Sequence, residues 1–213
     1  MLFNEARARA TQSKQFPARG QEIIIEDSTQ LDIEATTGYR DFQNLRSSSR
    51  KIVFYAENST DWDHFEPLIE ELITNKGLEV CYVTSDHNDP ALRINSTSMQ
   101  AFFIGYRPTR ISFFQNLDAR VAIMTMPDLA RFHLERSRFT THYIFVFNTA
   151  ISTHMGFMRG AFDHYDAIFC TGPHQIAELH AAERIYNTPK KVLVEYGSPL
   201  IDQIIDQIDT AEV

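Results

Sequence analysis

Residues 51–84 read KIVFYAENSTDWDHFEPLIEELITNKGLEVCYVT, and the change of pattern inside this stretch decides the fold. KIVFYA (51–56) and EVCYVT (79–84) are near-continuous apolar runs of strand length, as strands covered on both faces require. Between them Phe65, Leu68, Ile69, Leu72 and Ile73 recur at helical spacing, which predicts an amphipathic helix. Asp61 stands where a cap would, Pro67 is tolerated near the helix start, and Gly77 supplies a stop. Strand, crossover helix and strand make one parallel unit.

The same kind of run returns at AFFIGY (101–106), RVAIMT (120–125), HYIFVF (142–147), AIFCTG (167–172) and KVLVEY (191–196). After the last, Leu200, Ile201, Ile204, Ile205 and Ile208 form a stripe opposite Asp202, Asp206 and Asp209. The alternation predicts an α/β fold, a Rossmann-like three-layer domain over 51–213 with a mainly parallel sheet of six to seven strands. Residues 1–50 are polar and weakly patterned. EIII (22–25) is their one apolar cluster and LRSSSR (45–50) reads as a linker, so this part is expected to be a partly ordered arm and not a domain.

A formal charge of −8 argues against nucleic acid as a partner, because neutralising phosphates needs a basic surface. Arg131, Arg136 and Arg138, in RFHLERSRF, are a local exception; they read as a solvated face or as a landing site for an anionic substrate or membrane surface. Cys81 and Cys170 lie inside apolar runs and have no zinc or CxxC spacing, so buried thiols are expected. MLFNEARARATQSK has no apolar signal core, and the apolar runs are far shorter than a membrane span. A cytoplasmic protein is expected.

Parallel α/β sheets bind ligands beyond the carboxyl ends of their strands. The candidate loops are ENSTDW (57–62), TSDHNDP (84–90), TMPDL (125–129), NTAISTHMG (148–156), TGPH (171–174) and GSP (197–199). Gly172-Pro173 and Gly197-Ser198-Pro199 put glycine at a strand exit and proline at a helix start, which can also leave backbone N–H groups free for phosphate. No dinucleotide fingerprint, P-loop, hydrolase elbow or HExxH motif occurs. His154 is the conspicuous titratable group. A histidine on a strand-end loop can act as general base near neutrality, with Asp163 and Asp166 close enough in sequence to orient it. A histidine bonded only to backbone is the alternative, and Arg159 and Asp163 are residue types more often found in salt bridges or caps than in catalysis.

Taken together, KIVFYAENSTDWDHFEPLIEEL, MTMPDLARFHLERS, HYIFVFNTAISTHMGFMRGAFDHYDAIFCTGPHQIAELHAAERIY and KVLVEYGSPLIDQI resemble the N-terminal half of CDP-glycerol glycerophosphotransferase-like proteins. These are relatives of teichoic acid polymerases and primases with two Rossmann-like domains in a GT-B architecture. The resemblance covers about residues 40–208, and its most specific block is THMxxxRGAFDHYDxIFCTGPH. It implies transfer of glycerol phosphate, or a related polyol phosphate or sugar, from a cytidine nucleotide to a hydroxyl in envelope polymer synthesis. This chain would be the acceptor-side domain. The CDP-glycerol-type donor would bind a second, nucleotide-binding domain or partner subunit that the 213 residues do not include. No other cofactor and no metal is implied.

Further expectations are a polymer or lipid-linked acceptor and peripheral contact at the inner membrane face. His154 would be the general base, with Ser152, Thr153, Arg159, Gly172, His174, Glu57 and Asn58 as substrate-binding residues. The family commonly has a histidine directly after the strand matching HYIFVF, whereas this chain has Asn148-Thr149 there. Asparagine can position a hydroxyl but cannot take its proton. The departure keeps open a non-catalytic binding or partner domain. A GT-B glycosyltransferase or NDP-sugar epimerase relative is a further alternative.

Overall fold

The computed structural model describes residues 25–211. Seven strands form one wholly parallel sheet: β1 (Ile52–Ala56), β2 (Val80–Thr84), β3 (Met99–Phe103), β4 (Val121–Met124), β5 (His142–Val146), β6 (Ala167–Cys170) and β7 (Val192–Glu195). Their order is β3-β2-β1-β4-β5-β6-β7. The helices are α1 (Ile25–Asn44), α2 (Trp62–Thr74), α3 (Pro108–Gln115), the four-residue α4 (Thr153–Gly156), α5 (Pro173–Tyr186) and α6 (Pro199–Ala211). This is the Rossmann-like three-layer arrangement that the strand–helix alternation predicts.

Successive strand residues point to opposite faces, which explains why the runs carry almost no polar residue. Val53 and Tyr55 enter one cluster with Phe42 of α1, Phe113 and Phe114 of α3, and Leu179 of α5. Phe54 and Ala56 enter the other with Trp62, Phe65 and Ile69 of α2. Both thiols are buried, and burial pushes each up to about 12, so neither is a nucleophile at neutral pH. After β3 the chain crosses to the other side of β1. The crevice between the β1 and β4 exits is therefore the topological switch point.

Two sequence expectations change and one gains detail. Within the supposed arm, residues 1–24, which hold most of EIII, lie outside the described residues. Ile25–Asn44, however, is a 20-residue helix. Ala35 and Phe42 are buried, and Phe42 meets Phe102 and Phe113 edge-on at 5.7 and 5.3 Å. Apolar contacts this sparse leave little periodic signal. Gly38 permits the docking: a Cβ there would stand 2.1 Å from the Phe103 carbonyl oxygen.

The third strand runs over Met99–Phe103, not 101–106, because its register pairs Val80 with Met99 and Gly105 (φ 62°) then turns the chain. Asp61 also does not cap α2 with its side chain. Its buried carboxylate turns back to accept from the Glu57 and Asn58 amides, at 2.9 and 3.3 Å, and from the Thr125 hydroxyl at 2.7 Å. Asn58 supplies the cap, accepting from Thr60 N at 3.1 Å over the single 3-10 turn Ser59–Asp61.

The stripe on α6 stays at the surface: Leu200, Ile201, Ile204, Ile205 and Ile208 are all at least two-fifths exposed. No helix among the described residues is long and apolar enough to cross a membrane.

Asp61 ties the β1 exit to the β4 exit across the switch point. Asp61→Ala leaves two amides and a hydroxyl without their acceptor and should cost about 2 kcal/mol. Urea unfolding measures this, and Asn58→Ala, which removes an exposed cap, should cost only about 1 kcal/mol.

Candidate functional site

The loop that follows β5 has almost no regular structure of its own, and α5 holds it. Gln175 is completely buried. Its Nε2 donates to the carbonyls of Thr149 and Ile151, at 2.9 and 3.0 Å. Its Oε1 accepts from Thr171 N at 2.8 Å and Thr171 Oγ1 at 3.1 Å. His174 Nε2 lies 3.1 Å from the Ala150 carbonyl; a carbonyl only accepts, so the ring carries its proton on Nε2. One turn on, Glu178 Oε2 accepts from Thr153 N at 2.6 Å and Thr153 Oγ1 at 2.7 Å. His174, Gln175 and Glu178 occupy the first turns of one helix, so the helix start grips the loop from Thr149 to Thr153 at five points.

Glu178 also sets the chemistry of His154. Its Oε1 lies 2.8 Å from Ser152 Oγ, which lies 2.9 Å from His154 Nδ1. An ionised carboxylate cannot donate, so the one serine proton goes to Glu178. Ser152 Oγ must then accept from Nδ1–H, and the neutral imidazole keeps its lone pair on Nε2. The side chain is 73% exposed, which leaves Nε2 open to a substrate. Glu178 remains ionised at neutral pH. Burial opposes its charge, but hydrogen bonds from Thr153 and Ser152, together with nearby His154, hold it below the usual glutamate range. Its Oε1 also lies 3.6 Å from Nδ1.

A cavity of about 520 Å³ begins at Thr153, His154 and Glu178 and runs between α5 and the 157–163 segment to Tyr186 and Lys191. Arg159 and Asp163 also line it. Of the expected substrate-binding residues, Thr153 and Arg159 thus share a cavity with His154, and Ser152 joins them through the relay. Asn148 is half-buried at the exit of β5 with no hydrogen bond to its side chain among the described residues, and it does not line the cavity. His174 is a clamp on the loop. Gly172 stands at the N-cap of α5 with φ −174°, extended backbone that any residue adopts, so its glycine is not required by the turn. Gly197 (φ 87°) does need its freedom.

Asp166 does not orient His154. It precedes β6, at the amino edge of the sheet, where it accepts from Arg136 Nη2 at 2.9 Å and Tyr143 N at 2.8 Å. Asp163 has no bond to the imidazole among the described residues, and Glu178 takes the orienting part. Two arginines of the basic patch are committed: Arg136 to Asp166 and Arg131 to Asp128, at 2.9 and 2.7 Å. Arg138 lies over the Phe139 ring.

Glu57 and Asn58 sit at the switch point, three strands from β6 and about 14 Å away at the usual strand spacing. Glu57 pairs with Arg110 at 2.8 Å. Arg110 is nearly buried, lies over the Tyr55 and Tyr106 rings at 5.5 and 5.7 Å, and leaves its Nε without a partner. The Tyr106 hydroxyl donates to the Glu57 carbonyl. Because Glu57 and Asn58 both donate their amides to Asp61, this loop has spent the groups a phosphate would use. Sequence reading missed Arg110 and Glu178. The available signal was the run PHQIAELH, which puts His174, Gln175 and Glu178 on one helix face.

Glu178→Ala should release the relay. In the native protein the neutral His154 ring is protonated on Nδ1, and in the variant the ordinary Nε2–H form should predominate; imidazole nitrogen NMR shifts measure the ratio. Because the Glu178 pKa is lowered on folding, its anchoring is complete at neutral pH and lost as pH falls through that lowered value. Exchange of the Thr153 amide should accelerate over the same acid range in the native protein only.

No family model matches this chain, and no curated protein or solved structure does so either.

Proposed function

We propose that this chain is the acceptor-side domain of a glycerophosphotransferase-like enzyme. It would serve transfer of glycerol phosphate, or a related polyol phosphate or sugar, from a cytidine nucleotide to a hydroxyl of an envelope polymer or lipid-linked acceptor. The observation that carries this reading is the Glu178–Ser152–His154 relay, which leaves a basic Nε2 exposed on the loop beyond a parallel strand. In the reaction His154 Nε2 takes the acceptor proton while the hydroxyl oxygen attacks the donor phosphorus. The bond from phosphorus to the CMP oxygen breaks, and CMP leaves with that electron pair. The imidazolium keeps Nδ1–H on Ser152, with the Glu178 charge close behind it.

Phosphoryl transfer is governed by positioning and charge stabilisation, and the five-point grip of α5 on the loop serves positioning. The nucleotide would be held by a second Rossmann-like domain or a partner subunit, at the cytoplasmic face of the membrane. Asn148 favours a second reading, a non-catalytic binding or partner domain, since it occupies the place where the resembling family has histidine and cannot act as a base.

The test is CMP release from CDP-glycerol with an acceptor, using this chain joined to or mixed with its nucleotide-binding partner. His154→Ala should lower turnover about 100-fold or more. Equal release by wild type and His154→Ala removes His154 from the chemistry. Acceptor binding without any CMP release favours the second reading.

A further inference from the structure

The cavity that starts at His154 extends well beyond the reach of that ring, and its far end has a chemistry of its own. In most α/β crossovers a full helix would pack beside α5. Here α4 has only four residues, and the chain returns to β6 as an irregular segment. A trough remains where a helix–helix contact would be. It runs along α5 from Glu178 to Tyr186, about 12 Å at the helical rise. Phe157, Phe162, Leu179 and Ala182 lie along it, and Met158 and Ile185 stand at its border, 55% and 72% exposed. The volume of about 520 Å³ is that of a small-molecule site.

Charge selects among small molecules. Glu178 is taken up by Ser152 and Thr153. Glu183 is taken up by Lys191 N at 2.9 Å and His180 Nδ1 at 3.1 Å. Two cations, Arg159 and Lys191, line this end. Arg159 has no carboxylate partner among the described residues; its guanidinium lies over the Tyr186 ring at 4.1 Å. Lys191 Nζ donates to the Pro189 carbonyl at 3.2 Å, and its charge also helps hold the Glu183 carboxylate ionised. Asp163, beside Gly160, is the single lining carboxylate among the described residues without a hydrogen bond or ion pair to its side chain. Arg159 is thus the lining cation with no carboxylate of its own, and it makes its end of the trough the place for an anion. The stacked guanidinium keeps its in-plane N–H groups for a carboxylate or phosphate.

We propose that this trough is a binding site for a small amphipathic anion, its phosphate or carboxylate held by Arg159 and its apolar body lying along α5. The site requires no proton transfer at His154, so it stands or falls apart from the phosphotransfer reading.

Octyl phosphate, titrated calorimetrically into the protein below its micelle concentration and with no nucleotide present, is the direct probe. Inorganic phosphate and octyltrimethylammonium serve as comparators. One octyl phosphate per chain should bind, about tenfold or more tighter than either comparator. Arg159→Ala should weaken it about tenfold, the scale of one charge-assisted bond. Ile185→Asp, a change at an exposed rim position that the fold tolerates, should weaken it by adding an opposing charge. The proposal is overturned if inorganic phosphate binds as well as octyl phosphate, which is charge attraction alone. It is equally overturned if octyltrimethylammonium binds as well, which is apolar partition alone. Wild-type affinity in both folded variants has the same consequence. Since the titration reads no CMP, a failure of transferase activity leaves its outcome intact.

Discussion

Parallel pairing is the constraint on which this molecule depends. Every strand of the sheet runs the same way, so every strand exit opens on one edge and every return must travel over a face. The faces are therefore roofed by the returning segments, and the strands must be apolar on both sides, as Val53, Phe54, Tyr55 and Ala56 are. The same geometry gathers the polar loops on one edge, where Asp61, Glu57, Ser152 and His154 all lie. Core and site thus have one cause. Within that edge the order of strands separates two clusters, one at the β1/β4 switch point around Arg110 and one beyond β5 around Glu178.

The second cluster is where the fold acts most directly on chemistry. A loop carrying histidine next to serine has many conformations, and an exposed imidazole ordinarily prefers its proton on Nε2. The start of α5 removes that freedom. Gln175 fixes the backbone from Thr149 to Ile151, Glu178 fixes Ser152 and Thr153, and the direction of the serine proton then assigns the tautomer of His154. The shortness of α4, which forces the loop to depend on α5, also leaves the trough beside that helix. Loop control and cavity are two results of one truncated crossover.

The strands and the α2 crossover were legible because burial on both faces and helical spacing leave a dense apolar pattern. Helix α1 was not, since it docks through little more than Ala35, Phe42 and a glycine that lets its backbone meet Phe103. For the site, His154, Ser152, Thr153 and Arg159 were legible as polar residues on a strand-end loop, and the structure brings them together. Asp166 was a reasonable orienting partner by distance along the chain. It proves to lie at the opposite edge of the sheet, because twelve residues after His154 the chain has already crossed to the start of β6. Asn148 is placed as its position after HYIFVF implies, yet its side chain has no hydrogen bond to the relay among the described residues.

The sequence by itself determined the α/β class, the parallel sheet, the burial of Cys81 and Cys170, and the edge on which polar residues collect. All of these follow from local periodicity and from the rule that apolar faces must be covered. Only the tertiary structure decided that Glu178, not Asp163 or Asp166, orients His154, that Arg110 holds Glu57, and that Asp61 braces two loops instead of capping α2. Those pairings join residues 24 to 64 positions apart. A single sequence carries no periodic trace of such contacts, because they depend on which strand lies beside which and where each return path ends.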